Sequence, residues 1–123
     1  MPSIQSDADE PWVPPGNIAL SPRVVSWARE FIDSVNGQYG DRWIVGIDWA
    51  TSCSVKDSPQ AEPRELGPGL SLGAYERHQV PPEMIDRADG LEFALHIPRE
   101  MWEASAQRLI EFDESLLFKL KLV

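Results

Sequence analysis

The sequence is poor in the side chains that bind soft metals or act as nucleophiles. It contains one cysteine, Cys53, and two histidines, His78 and His96. A single cysteine excludes an internal disulfide and gives no sign of an oxidising compartment. A zinc site needs three or four nitrogen, sulfur or oxygen ligands, and these three residues follow no known ligand spacing. We therefore expect no metal and no cofactor, with Cys53 as the one candidate ligand or nucleophile.

Basic runs and long apolar runs are also missing. The 123 residues include 20 acidic and 11 basic side chains, for a formal net charge of −9. Phosphate backbones and anionic membranes are bound by Lys and Arg, so we expect neither nucleic acid nor a membrane as partner. A basic protein would instead be attracted by the acidic field. No apolar stretch approaches the roughly 20 residues of a membrane helix, and residues 1–11 have no secretory-signal pattern, so the expected location is the cytoplasm.

The length fits one domain, which we place at residues 21–123. Residues 1–20 are expected to form a proline-rich, flexible, acidic tail, since prolines near Trp12 lack a backbone donor and restrict the residues before them. Trp12 is a large apolar side chain to leave in water. It either packs on its own domain or contacts a partner, and we favour packing.

The clearest periodic signal is a helix that begins at Ser21 and ends at Asn36-Gly37. Ser21 is a suitable N-cap and Pro22 suits the first helical position. Asn36 and Gly37 tolerate the left-handed conformation that ends many helices. Apolar residues recur between them at helical spacing, at Val24, Val25, Ala28, Phe31, Ile32 and Val35.

Alternating apolar and polar residues predict strands over 43–49, 70–75 and 91–97, and a final hairpin with arms at 109–112 and 116–123. The stretch 51–68 is polar and interrupted by prolines, so we interpret most of it as a loop. A short helix is expected from Pro98 to about Ala106. The predicted fold class is α+β, with a long N-terminal helix and one short helix packed on a mainly antiparallel, twisted sheet.

The end of the second predicted strand is the best candidate for a recognition surface. Tyr75, Glu76, Arg77 and His78 place an aromatic ring and both signs of charge there. With Trp12 they are the candidate binding residues, and a solvated loop is the alternative interpretation. The glycines that precede them have the wrong spacing for a dinucleotide fingerprint, and no Walker lysine follows. No catalytic residue set is found.

Two tryptophans at the ends of the first predicted strand, Trp43 and Trp49, are placed to flank a pocket. All five tryptophans are otherwise expected in the core, as large apolar side chains usually are.

Three segments, in order, resemble one known family. Ser21-Pro22-Arg23 opens a helix, the strand at 43–49 leads into Thr51-Ser52-Cys53-Ser54, and Asp89-Gly90 precedes a strand, a short helix and Ile110-Glu111-Phe112-Asp113. In these features the chain resembles the A-type iron–sulfur cluster carriers, or HesB-like proteins, over most of residues 21–123. The resemblance implies a HesB-like α+β fold.

The same resemblance implies that the cluster ligands have been lost. The family holds its cluster or iron with three cysteines, two of them in a C-terminal Cys-Gly-Cys, and thiolates are the ligands such soft metals require. This chain has only Cys53 and reads Lys121-Leu122-Val123 at its end. A carrier role in the family's manner is not expected.

The leading functional hypothesis is a non-catalytic accessory or protein-binding domain on a HesB-like scaffold. One alternative is an acidic immunity- or antitoxin-type protein that neutralises a basic partner. A second is a metalloprotein or enzyme that uses Cys53 with His78 or His96, and a third is a self-associating module. The sequence leaves the partner's identity and the oligomeric state open.

Overall fold

The computed structural model describes residues 12–55, 60–113 and 119–123, and their side chains except at 51–55, 64–68 and 119. These residues form one long helix, one short helix and seven strands of a mixed sheet. In chain order the elements are β1 (Ala19–Leu20), α1 (Pro22–Tyr39), β2 (Trp43–Val55), β3 (Arg64–Glu76), β4 (Asp86–Ala88), β5 (Leu91–His96), α2 (Arg99–Glu103), β6 (Leu109–Asp113) and β7 (Lys119–Leu122). The predicted α+β class is confirmed.

The strands lie in the order β1-β6-β7-β3-β2-β5-β4. Among the described strands, four neighbouring pairs are antiparallel, and the pairs β1–β6 and β2–β5 are parallel. β2 therefore lies in the interior of the sheet, with β3 on one side and β5 on the other. Its register with these two neighbours determines which side chains share a face.

The start of α1 follows the sequence prediction. Ser21 has an extended backbone, and its Oγ accepts a hydrogen bond from the Val24 N–H at 3.2 Å. The same hydroxyl donates to Glu111 Oε1 at 2.9 Å, so the cap is tied to β6. Pro22 takes the first helical position, where its missing N–H leaves no partner unsatisfied.

The predicted end of α1 is wrong. The helix continues through Asn36 and Gly37 to Tyr39, and Gly40, with φ of 101°, takes the C-cap position. Asn36 is used differently: its side-chain amide donates to the Trp43 carbonyl at 3.2 Å and accepts from the Trp43 N–H at 3.0 Å. It therefore secures the first residue of β2 instead of ending the helix.

One face of the sheet packs against α1 and forms the main core. Val24, Val25, Ala28 and Ile32 of α1 are buried there. The odd-numbered residues of β2 and β5 face them, as the period of two predicted. The buried members on these strands are Val45, Ile47, Leu91, Phe93 and Leu95.

β2 and β3 form a longer hairpin than the sequence predicted. Residues 51–55 and 64–68, which we expected in a loop, belong to these strands, and residues 56–59 lie outside the described part. The register shifts between the pairs Ala50–Gly69 and Cys53–Gly67. Pro68 falls at this shift, where a missing N–H is tolerated, so the proline does not end the strand.

The second face of the sheet is covered by the connection between β3 and β4. Residues 77–85 contain two short 3-10 turns, Arg77–Gln79 and Pro82–Met84, and cross from β3 to β4 at the sheet edge. Val80 of this connection is buried against Ile44 and Ala94. A second, smaller core therefore lies on the face opposite α1.

The segment 12–20, which the sequence pattern assigned to a flexible tail, packs on the domain. The Val13 N–H donates to the Leu95 carbonyl at 2.9 Å, and Val13 and Ile18 are buried in the main core. Trp12 packs against the second core, so the prediction that it packs on its own domain is confirmed. Residues 1–11 lie outside the described part.

The C-terminal elements follow the prediction with one difference. α2 is shorter than expected, and Trp102 is its buried residue, while Met101 is only half-buried. β6 and β7 pair antiparallel as predicted, and their turn falls largely outside the described residues. Neither of the two helices in the described part of the chain is long and apolar enough to cross a membrane.

Candidate functional site

The structure spreads the three candidate metal ligands along the sheet. His96 pairs with Asp48 in β2, and Cys53 lies five residues further along that strand, about 16 Å away at ~3.3 Å per residue. His78 follows Glu76, the last residue of β3, at the opposite end of the hairpin. Within the described residues, no group of three or more His, Cys, Asp or Glu is arranged to hold a metal ion.

A hollow of about 600 Å³ lies where β3 ends and residues 77–85 begin to cross the second face. Its lining comprises Arg42, Arg77, His78, Val80, Pro82, Ile85 and Arg87. Every ionisable residue in this set is basic, so we call it the cationic hollow. The structure therefore places Arg77 and His78 of the predicted recognition surface in one site, together with two arginines that the sequence did not single out.

Arg77 and Arg87 are held by one carboxylate. Arg87 Nη2 lies 2.8 Å from Glu92 Oε2, and Arg77 Nη2 donates to Glu92 Oε1. The hydrogen bond from Arg77 lowers the pKa of Glu92, partial burial opposes this, and Arg87 lowers it further. In return, the bond to Glu92 raises the pKa of Arg77. Both guanidinium groups are thus fixed at one side of the hollow.

Arg42 and His78 share the second carboxylate. Glu76 Oε2 lies 3.4 Å from Arg42 Nε and 3.5 Å from His78 Nδ1. The backbone supports this arrangement, because the Arg77 N–H donates to the Arg42 carbonyl at 2.8 Å. Gln79 accepts from the Glu76 N–H at 2.9 Å and closes the turn. Glu76 therefore positions Arg42 and His78 at the rim of the hollow.

The floor of the cationic hollow is apolar. Val80 is only 2% exposed, and Ile85 packs with it in the second core. Pro82 begins the second 3-10 turn and completes this surface. Basic groups therefore surround an apolar base that is already fixed by packing.

Behind the hollow, Tyr75 and Trp12 belong to a cluster with Asp48 and His96. The Tyr75 hydroxyl donates to Asp48 Oδ1, and the Trp12 ring centre lies 5.5 Å from that of Tyr75 and 4.6 Å from that of His96. His96 Nδ1 is 3.9 Å from Asp48 Oδ1. Burial, followed by the bond to Asp48, raises the pKa of Tyr75 well above its usual range. The sequence pointed to Trp12 and Tyr75, but not to the carboxylate between them.

Asp48 and His96, with the neighbouring Ser71, are the residue types of an acid–base catalytic site, but their positions do not allow one. Ser71 pairs with Asp48 from β3, and His96 pairs with it from β5. Two strand spacings, about 10 Å, therefore separate Ser71 from His96, too far for a hydrogen bond. A tyrosine is protonated at neutral pH even with its ordinary pKa, and the raised pKa of Tyr75 makes its ionisation harder still, so its hydroxyl serves as a donor to Asp48 and not as a base.

Trp43 and Trp49 do not flank a common pocket, so that expectation is wrong. Trp49 lines an apolar groove of about 450 Å³ beneath α2, next to Leu70 and Met101. Trp43 lines a separate hollow of about 170 Å³ beside α1. The two residues lie six positions apart on the odd-numbered face of β2, about 20 Å at ~3.3 Å per residue, too far apart to act together.

The residues missed by sequence reasoning are Arg42, Arg87 and Asp48. Each lies in or next to a strand, and a charged residue beside apolar strand positions is the only local signal they give. Their convergence depends on the sheet order, which no local pattern specifies. Comparisons of the chain with protein-family models, with curated proteins and with solved structures gave no match.

Proposed function

We propose that this chain is a non-catalytic accessory domain that binds a protein partner through the cationic hollow and its rim. The observation that carries the proposal is that Arg42, Arg77 and Arg87 come from three separate parts of the chain to one hollow with an apolar floor. Arginine combines several directional donors with a flat, weakly hydrated surface, which is why it is common at binding hot spots.

Binding is favoured over catalysis by how the acidic groups of the site are used. Glu92 contacts two arginines, and Glu76 contacts Arg42 and His78. The lowered pKa of Glu92 makes proton uptake by this carboxylate less favourable, whereas a general base has to accept a proton. The arrangement of the described residues therefore favours binding of a partner over catalysis.

We also propose a HesB-like scaffold that has lost its cluster ligands. The order of the elements supports it: a Ser-Pro helix start, an interior strand, an Asp-Gly turn into a strand, a short helix and a final strand pair. Asp89 and Gly90, with φ of 50° and 82°, form the two-residue turn between β4 and β5. Cys53 departs from the family pattern, because it pairs with Gly67 inside a hairpin instead of lying in a turn.

The net charge favours a basic partner in the cytoplasm, approached through the acidic field of the chain. The cationic hollow would then bind an acidic group on that partner, which gives the complex two contacts of opposite sign. The immunity-type alternative depends on the net charge alone. The metalloprotein alternative has no described site that brings Cys53 together with His78 or His96.

The test begins with capture on the immobilised full chain and ends with purified components. Proteins that are captured are purified, and their Kd is measured for the wild type and for the Arg77→Ala/Arg87→Ala variant. Arg99→Ala is the matched control, because Arg99 is an exposed arginine beside the Trp102 ring on α2, away from the hollow. Loss of two hot-spot arginines should weaken binding about tenfold or more, and the control by less than about twofold. Equal Kd values for all three proteins would refute the proposed surface.

A further inference from the structure

We propose that the cationic hollow binds an oxyanion group, a phosphate or a carboxylate, carried on an apolar or aromatic body. This inference rests on the proposed binding function and names the chemistry of the group bound at the same site. It depends on three features of the hollow: its local charge, the positions of its donors and its floor.

The ionisable residues that line the hollow are all basic in a chain that is strongly negative overall. Three arginines, Arg42, Arg77 and Arg87, line the hollow, and the carboxylates that pair with them, Glu76 and Glu92, are not among its lining residues. The whole chain has a net charge of −9. An anion that binds this acidic chain therefore has its nearest basic partners in the lining of the hollow.

Each guanidinium group retains donors beyond those that hold it. Arg77 and Arg87 each contact Glu92 through Nη2, and Arg42 contacts Glu76 through Nε. A guanidinium has five N–H donors in a planar fork, so several remain on each group. Forked donors match the paired oxygens of carboxylate and phosphate, and such charge-assisted bonds are stronger than neutral ones.

The donors are fixed before a ligand arrives. Arg87 on β4 lies opposite Glu92 on β5, so the ion pair follows the strand register. Arg42 and Arg77 are joined by the backbone hydrogen bond between them, at 2.8 Å. Donors that the fold already brings together need less reorganisation when a ligand binds, which improves affinity for a small ligand.

The size and floor of the hollow indicate a ligand larger than a bare anion. A volume of about 600 Å³ falls within the range of small-molecule sites, which are mostly apolar with a few placed polar groups. Pro82 and Ile85 supply the accessible apolar surface beneath the arginines, and the buried Val80 supports them from behind. An aromatic or aliphatic body attached to the oxyanion would cover this floor.

The experiment titrates the ¹⁵N-labelled full chain with three probes at constant ionic strength: inorganic phosphate, phenyl phosphate and benzoate. The arginine Nε–H signals are followed by NMR. Saturable shifts are expected at Arg42, Arg77 and Arg87, with phenyl phosphate binding about fivefold or more tighter than inorganic phosphate because its ring covers the floor. Comparison of phenyl phosphate with benzoate distinguishes phosphate from carboxylate as the preferred head group.

Variants assign the binding to the hollow. Arg77→Gln and Arg87→Gln should weaken phenyl phosphate binding about fivefold or more each, and Arg99→Gln should leave it unchanged. Arg42→Gln is the second variant if Arg77→Gln fails to fold, because the Arg42 side chain is 68% exposed and contributes little to packing. Equal weakening in Arg99→Gln, or shifts that rise linearly without saturation for every probe, would overturn the inference.

The outcome is separable from that of the proposed function. If no probe saturates while a purified partner loses affinity in the Arg77→Ala/Arg87→Ala variant, the binding surface is supported and the oxyanion assignment is wrong. If phenyl phosphate saturates the hollow while every captured protein binds wild type and variant equally, the oxyanion site stands and the protein-binding function is wrong.

Discussion

Gly46 lies beneath the Tyr75 ring, and its replacement by alanine is a direct test of the second face. A Cβ built at Gly46 would lie 2.3 Å from Tyr75 Cε2 and 2.4 Å from Cδ2, closer than real Cβ contacts. Gly73, its cross-strand partner on β3, has nothing within 4 Å of the corresponding Cβ. The two glycines are therefore a matched pair, one covered and one open.

The expected magnitude follows from what the Tyr75 ring must give up. Its hydroxyl donates to Asp48 and its edge contacts Trp12, so the ring cannot swing away without losing both contacts. Overpacking of this kind typically destabilises a protein by about 1–3 kcal/mol, and we expect Gly46→Ala to fall in that range. Gly73→Ala should be neutral or stabilise by up to about 1 kcal/mol, since alanine loses less backbone entropy on folding.

Urea unfolding followed by tryptophan fluorescence measures both variants. The decisive comparison uses the Tyr75→Ala background, in which the ring is absent and a Cβ at Gly46 has room. There, Gly46→Ala should lose most of its effect, giving a coupling of about 1–3 kcal/mol between the two positions. The reasoning is refuted if Gly46→Ala and Gly73→Ala shift the midpoint equally, or if the effect of Gly46→Ala is the same without the ring.

Three further predictions concern single side chains. Ser21→Ala removes the N-cap of α1 and should lower the free energy of unfolding, measured in urea, by about 1 kcal/mol. Ser26→Ala, at an exposed position within the same helix, is the control and should change it by less than about 0.5 kcal/mol. Equal effects of the two substitutions would exclude the capping role of Ser21. Asn36→Asp retains the acceptor for the Trp43 N–H but sets a carboxylate against the Trp43 carbonyl, so it should lower stability in a thermal scan by about 1–2 kcal/mol, and an unchanged Tm would exclude this role. Glu92 has a lowered pKa, so the stability it contributes is present above its ordinary pKa of 4.5 and is lost as the pH falls through its folded-state pKa. The stability advantage of wild type over Glu92→Gln should therefore shrink on acidification. Parallel curves of unfolding free energy against pH for the two proteins, from pH 6 to about pH 3, would contradict this prediction.

Features set by local sequence were predictable, and the start of α1 is the clearest case. Ser21 and Pro22 act on the backbone within one turn, so their effect does not depend on distant residues. The end of the helix depends on a distant contact, because Asn36 bonds to the Trp43 backbone. Asn36, which would suit a helix cap, thus joins α1 to β2 instead, and the local sequence pattern gives no sign of this contact.

The strand prediction failed in the 51–68 stretch for a related reason. Polarity and proline both argue against a strand interior, yet backbone pairing between β2 and β3 holds the hairpin together beyond the core. Apolar alternation reports burial of a face and not backbone pairing, so a hairpin arm with polar residues gives no such signal. Pro68 is accommodated at the register shift, a feature that appears only when both strands are aligned.

The candidate site was predictable only in part. Tyr75 to His78 stood out because an aromatic residue and charges follow one another in the chain. Arg42 and Arg87 lie 35 and 10 residues away from Arg77, and they reach it because β2 neighbours β3 while residues 77–85 carry the chain to β4. The site thus depends on the order of the strands in the sheet, and local composition identified only one of the three chain segments that form it.

The position of the hollow follows from how the second face is covered. A helix covers one face of the sheet, and the other is left to a short connection and to Trp12. A connection is narrower than a helix, so it packs its own Val80 and, partly, Ile85 against the sheet and leaves the strand ends beside it open, where the arginines lie. The floor of the hollow and the second core therefore share Val80 and Ile85. A ligand bound there must stabilise the fold by mass action, and a loosened second core must weaken the binding of that ligand in return.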